Sequence, residues 1–211
     1  MTELRRRFHQ QLEEIDTRVI HLFALVTEAV SAATDALLAG DAEAARALSE
    51  SDRVVDELEA DLEQLTQHEL LTQSPMAGDM RYLVSVLRVV PELERSGDLA
   101  EHIAQRAAGG LALRLTPEVR GLLEQMGAIC AKLWRLASDA WAERDSEAAE
   151  VLDQADDRLD ELHDDLVSQL ERADIALADA LQTTLVARFY ERLGDHAVHI
   201  AERVRYLATG S

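Results

Sequence analysis

The chain has 211 residues, 47% of them hydrophobic but only 4% aromatic, with 9 Gly and 3 Pro. That Ala/Leu-rich, turn-poor balance argues against a β fold and reads as all-α, with length enough for a real core. The formal net charge of −20, from 21 Lys+Arg against 41 Asp+Glu, repels phosphate backbones and argues against nucleic-acid binding.

A first helix is predicted from about Glu3 to Leu38, its apolar positions Leu12, Ile15, Val19, Leu22, Phe23, Val26 and Val30 recurring at three and four. Gly40-Asp41 closes it, with Gly as a left-handed cap and Asp as the next N-cap. A second helix follows over about Ala42 to Leu71, carrying Leu48, Val55, Leu58, Leu62 and Leu65. Ser74-Pro75 gives an N-cap and first-turn signal for a third, from near Met76 to Ala108. Gly109-Gly110 and then Thr116-Pro117-Glu118 mark a linker and a fresh helix start.

Beyond that linker the pattern repeats. Asp41-Ala-Glu-Ala-Ala and Asp145-Ser-Glu-Ala-Ala match at an offset of 104, as do Asp56-Glu-Leu58 and Asp160-Glu-Leu162. Glu94-Arg-Ser-Gly97-Asp98 returns as Glu191-Arg-Leu-Gly194-Asp195 at an offset of 97. The seven residues lost between these matches amount to about two helical turns, so a shorter helix pair keeps its facing surfaces. The expectation is an internal duplication: a three-helix unit over 1–110 and a second over 111–211, with helices near 116–142, 146–171 and 174–208.

No apolar run is read as approaching the ~20 residues that span a bilayer. The start, Met1-Thr-Glu-Leu-Arg-Arg-Arg-Phe-His9, lacks the apolar region of a signal peptide. A single cysteine, Cys130, rules out an internal disulfide and fits a reducing compartment, so a cytoplasmic location is expected. Cys130 sits in an apolar stretch and reads as a small buried hydrophobe. Trp134 and Trp141, seven apart, read as core or dimer contacts.

The chemistry concentrates in the repeated phrase. On the third helix Leu83, Leu87, Val90, Glu94, Asp98 and Glu101 fall within roughly an 80° arc, while Arg81, Arg88, Arg95 and Arg106 gather on another. A like-charge i,i+4 pair on an exposed helix costs only ~0.2–0.5 kcal/mol and is ordinary in so acidic a chain. Its recurrence beside Gly97 and Gly194 is not ordinary, because each Gly costs about 1 kcal/mol in a helix interior relative to Ala. Such a Gly implies a close backbone approach or room for an ion. Two carboxylates ~4 Å apart repel by roughly 4 kcal/mol at an effective dielectric near 20, so clustered acids should hold protons or a cation. Candidate ligands are therefore Glu94, Asp98, Glu191 and Asp195, supported from the second helix of each unit by Asp52 and Asp56 and by Asp156 and Asp160. His102 and His199, one turn beyond Asp98 and Asp195, read as polar surface positions before ligands. A ferritin-like di-metal carboxylate enzyme or metal-storage protein is the alternative, but it needs Glu-x-x-His on two helices, and only Asp160-x-x-His163 comes near. No nucleophile elbow, Gly-rich phosphate loop or Cys/His cluster is present, so no catalytic residues are assigned.

Together with Pro75-Met-Ala-Gly-Asp79-Met-Arg81, the phrases Glu94-Arg-Ser-Gly-Asp98-Leu-Ala-Glu-His-Ile-Ala104 and Glu191-Arg-Leu-Gly-Asp195-His-Ala-Val-His-Ile-Ala-Glu202 resemble the PhoU family of phosphate-transport regulators. The resemblance covers essentially the whole chain. It implies two symmetric three-helix, spectrin-like bundles, usually dimeric, that bind Fe, Zn, Mg or Mn through the motif acids. It also implies an adaptor and not an enzyme, one that links a phosphate ABC importer, through its ATPase subunit, to a membrane sensor histidine kinase. Such a protein reaches the membrane peripherally through those partners and keeps the phosphate-starvation regulon off when phosphate is plentiful. Two departures stand out: Ser96 replaces the aliphatic residue that Leu193 represents, and His102 and His199 stand where an amide is more usual.

Overall fold

A computed structural model describes residues 3–210; Met1, Thr2 and Ser211, which the readings of the chain's ends included, lie outside the described residues. Among the described residues it holds six long helices and no strand. They are α1 (Glu3–Ala39), α2 (Ala42–Thr72), α3 (Ala77–Ala108), α4 (Pro117–Glu143), α5 (Ala148–Leu170) and α6 (Leu177–Thr209), with a 3₁₀ turn at Leu111–Arg114.

The caps explain most boundaries. Gly40 adopts φ +68°, and the Asp41 carboxylate accepts from the Glu43 and Ala44 amides at 2.9 and 3.0 Å, ending α1 and starting α2. Thr116 Oγ1 accepts from the Val119 amide at 3.4 Å, with Pro117 in the first turn of α4. The start expected at Ser74-Pro75 is different. Ser74 takes a positive φ of 46° and Pro75 stays outside the helix, so α3 begins at Ala77 with no side-chain cap. The shortening between repeats falls largely on α5, which has 23 residues where α2 has 31.

α1 packs on α3 and α4, and α6 packs on the same two helices, so these four form the centre of the molecule. α2 lies outside on α1 and α3, and α5 outside on α4 and α6. Within the centre α1 and α4 run antiparallel: the Arg120 guanidinium donates to the Leu38 carbonyl at 3.0 Å near one end, and that of Arg144 to Asp16 Oδ1 at 2.5 Å near the other. The Asp16 oxygen also accepts from Tyr82 Oη and Trp141 Nε1, each at 3.2 Å, so one carboxylate ties α1, α3 and α4.

The core is one continuous cluster that draws on every helix. Phe23, Trp134, Trp141 and Tyr190 are fully buried within it, which places both tryptophans in the core. Tyr190 Oη shares a hydrogen bond with Thr34 Oγ1 at 2.9 Å, and Cys130 Sγ donates to the Tyr190 carbonyl at 3.3 Å. Cys130 is wholly buried, and burial pushes its thiol well above the ordinary range, as expected for an inert hydrophobe. One sequence expectation needs amending: within Arg5–Ala39 lies a stretch that is, by length and composition alone, apolar enough to cross a membrane. Its apolar stripe, Ile15, Val19, Leu22, Phe23, Val26 and Val30, is fully buried against the other central helices.

Candidate metal centre

α3 and α6 face each other antiparallel across the pseudo-two-fold axis of the duplication. Ser96 Oγ lies 2.9 Å from His196 Nδ1, and Ser96 also donates to the Glu92 carbonyl at 2.7 Å. The ring's other nitrogen, Nε2, lies 3.6 Å from Glu92 Oε2, so His196 is held between Ser96 and Glu92. The offset of 97 carries Ser96 onto Leu193 and His196 onto Leu99, and both leucines are buried. The departure at Ser96 is thus matched by one at His196: a polar pair stands in one half where the other half has two leucines.

The outer edges of α3 and α6 carry the acids, each facing the covering helix of its own unit. In the first unit, ligand oxygens of Asp52, Asp56 and Asp98 all lie within 4.8 Å of one another. Glu94 stands beside this trio without joining it, close enough that its charge acts on Asp52. The glycine explains how the helices come so near: a Cβ on Gly97 would lie 3.1 Å from Asp52 Oδ1. In the second unit the approach is closer still, because a Cβ on Gly194 would overlap Asp156 Oδ1 and lie 2.8 Å from Leu159 Cδ2. Asp160 and Asp195 act on Asp156, and Glu191 and Asp195 on Asp160, although among the described residues no three of them draw together as the first trio does.

Crowding shows in the acid strengths. Burial, then the charges of Asp98 and Asp56, raise Asp52 to about 6. Burial, then Asp160 and Asp195, raise Asp156 to about 7. Burial also lifts Glu94, Asp98 and Asp160, with Asp98, Asp56 and Glu191 respectively as the next cause. The covering-helix acids Asp52 and Asp156, treated as supporting in the sequence, are the most strongly perturbed of the set. Periodicity ranked them low because α2 and α5 are acidic on several faces.

Two further residues belong to these clusters and were not singled out as ligands from sequence. Glu59 presses its charge on Glu94, whereas in the second unit His163 Nδ1 lies 3.5 Å from Glu191 Oε2. The offset of 104 that aligns Asp56 with Asp160 also aligns Glu59 with His163, so that signal was available. Arg188 Nη1 adds an ion pair to Glu191 Oε1 at 2.8 Å. His102 and His199 are exposed and neither is part of the close trio, although His102 lies near enough to Asp98 to act on it electrostatically.

The donor sets suit a cation. Asp156 Oδ1 and Glu191 Oε2 are buried without a hydrogen-bond partner among the described residues, a costly condition that bound positive charge relieves. The first cluster offers carboxylate oxygens alone, the preference of hard divalent ions. The second adds an imidazole, which Fe, Mn and Zn accept.

This duplicated geometry has counterparts among known proteins. A family model described as the PhoU domain matches residues 19–107 and again 123–204. The chain is 35% identical over 211 residues to the phosphate-specific transport system accessory protein PhoU homolog 1 of Mycobacterium leprae, a match covering 99% of this chain and 95% of that one. It is 30% identical over 207 residues to the protein of the same description from Thermotoga maritima, covering 96% and 89%. In three dimensions it is similar to the crystal structure of PhoU from Pseudomonas aeruginosa, with a TM-score of 0.91 and 28% identity over 97% of this chain and all of that one. With both halves matched by the domain model and full-length relatives at this identity, the chain belongs to the PhoU family.

Proposed function

We propose that this chain is an accessory protein of phosphate transport that acts as a signalling adaptor, and that cation binding at its two acidic clusters sets its working shape. The observation that carries the reading is the pair of acid clusters, each built where a glycine lets the covering helix approach, in a chain whose full-length relatives are described as phosphate-specific transport accessory proteins.

Asp52, Asp56 and Asp98, with Glu94 and Glu59 beside them, would hold one cation; Asp156, Asp160, Glu191 and Asp195, with His163, the other. When bound, a divalent ion supplies positive charge that offsets the repulsion among these carboxylates. Asp52 and Asp156 lie on α2 and α5, Asp98 and Glu191 on α3 and α6. Mutual repulsion of these groups pushes the covering helices outward, and its relief lets them settle on the central four. The acids thereby govern which outer surface the molecule presents.

In this reading that surface meets the ATPase subunit of a phosphate ABC importer and a sensor histidine kinase. The protein is a cytoplasmic homodimer brought to the membrane by its partners, and it holds the phosphate-starvation response off when phosphate is abundant. It carries out no chemistry of its own. Alkaline phosphatase activity in cells lacking the chain, grown in abundant phosphate, tests the role: it should be high and return to low with the wild-type gene. Metal analysis of E191A/D195A protein tests the site, and content equal to wild type would remove the second cluster from the proposal.

A further inference from the structure

The pseudo-two-fold axis places the same trio of two arginines and a histidine twice along the α3–α6 seam. Arg95, His199 and Arg203 in one position correspond to Arg192, His102 and Arg106 in the other, each pair separated by 97 residues (192−95, 199−102, 203−106). The two positions differ in what fills them. At one, the Phe189 ring packs against His102 with centroids 5.6 Å apart, and Arg106 lies over the same ring at 5.2 Å. Cations and aromatic face satisfy each other there, and the seam is plugged.

At the other, the residue corresponding to Phe189 is Glu92 (189−92 is again 97). Its carboxylate turns to Arg95 at 2.7 Å and lies 3.6 Å from His196 Nε2, leaving the seam open. The result is a cleft of about 500 Å³ with Arg88, His199, Arg203 and Tyr206 on its walls. The guanidinium of Arg88 has no ion-pair partner among the described residues, and that of Arg203 rests over the Tyr206 ring at 5.3 Å. In a chain of net charge −20, a cleft with three arginines and a histidine against Glu92 and Glu202 is a local reversal of sign. Arg guanidinium groups present the fork that matches tetrahedral and planar oxyanions bidentately.

We propose that this cleft between α3 and α6 binds a phosphoryl- or sulfate-type oxyanion through Arg88, Arg203 and His199. Glu92 already neutralises Arg95, so the anion takes the remaining cations. The volume exceeds what a free oxyanion fills and leaves room for an organic group carrying the phosphoryl. Free inorganic anion and organic phosphate share this chemistry and are separated by experiment. On α3 the cleft residues Arg88, Glu92 and Arg95 occupy a different arc from Glu94, Asp98 and Glu101.

The test is calorimetric titration of the full chain, at low ionic strength and in the presence of a chelator, with inorganic phosphate, sulfate and adenosine monophosphate in turn. Saturable binding is expected, weakened at least about tenfold in R88Q/R203Q and unchanged in R192Q, the counterpart of Arg95 at the plugged position. Arg88 is exposed, so R88Q alone, which disturbs no packing, should show part of the loss. Tighter binding of the nucleotide than of phosphate assigns the cleft to an organic phosphate; equal binding assigns it to the free anion. Absence of binding by all three probes, or equal affinity in wild type and R88Q/R203Q, overturns the proposal, as does an equal loss in R192Q.

Discussion

Gly194 and Asp156 are held so close that any side chain at residue 194 would overlap the aspartate's Oδ1. Gly97 and Asp52 repeat the relationship more loosely, at 3.1 Å. Helix propensity alone favours Ala over Gly by about 1 kcal/mol, so G97A should be close to neutral once a small shift of Asp52 is allowed. G194A must displace both Asp156 and Leu159, and should destabilise by about 1–3 kcal/mol. Urea unfolding of the two variants measures the contrast; equal effects would mean that close approach is not why glycine stands there.

The acids give the metal-free protein an unusual pH dependence. A carboxyl whose folded pKa lies above its unfolded value binds more protons folded than unfolded, so stability falls as pH rises between the two. Asp52 and Asp156 are raised to about 6 and about 7 by burial and like charge. The destabilising window therefore opens near pH ~4, the unfolded value, and closes above about 7. In chelator, melting temperature should be higher near pH ~5 than near pH ~8, and D156N should flatten the slope and raise the value at the alkaline end. A divalent cation should restore the loss at alkaline pH. A chelated protein that melts higher near pH ~8 would contradict the crowding.

Ser96 and His196 form a polar pair inside an apolar seam. S96A leaves a buried imidazole nitrogen without its hydrogen-bond partner and should cost about 1–3 kcal/mol. S96A/H196L removes both polar groups and brings the pair close to the leucines at 99 and 193, so it should recover most of that loss. A double-mutant cycle by denaturant unfolding reads the coupling, expected at about 1–2 kcal/mol. Additive single effects would deny that the two residues act as a pair.

The division into repeats over 1–110 and 111–211 is a proposal about ancestry that fragments can probe. α1 and α3 each bury apolar surface against helices of the other half, so residues 1–110 alone should self-associate or bind a hydrophobic dye. Mixing the two fragments should restore a cooperative melt. A monomeric, cooperatively folded fragment 1–110 would show instead that each unit is sufficient by itself.

Much of this was legible in the chain. The three-and-four spacing of Ile15, Val19, Leu22 and Val26 marks a buried stripe in any helical setting, and the glycines at 40 and 110, both at positive φ, stop helices where expected. Closely similar phrases 97 residues apart exposed the duplication. What periodicity does not carry is how one helix is rotated against another. Hence the depth of Asp52 and Asp156, the meeting of Ser96 with His196, and the contrast between Glu92 and Phe189 emerge only when helices are paired. Ser74 misled for a local reason: its residue type suits an N-cap, but the turn there has a left-handed backbone, so Met76 takes the cap position and the helix begins at Ala77, close to the expected start near Met76.

The burial of α1 also bears on how the molecule is made. Its apolar stripe is covered in part by α4, which begins at Pro117, so a growing chain has made more than half its length before that cover exists. Until then the ribosome displays a segment with the hydropathy of a membrane span. Recognition factors that sort nascent chains by hydropathy would meet α1 before its permanent neighbours do. The speed with which α2 and α3 wrap it then decides whether the polypeptide folds or is misdirected.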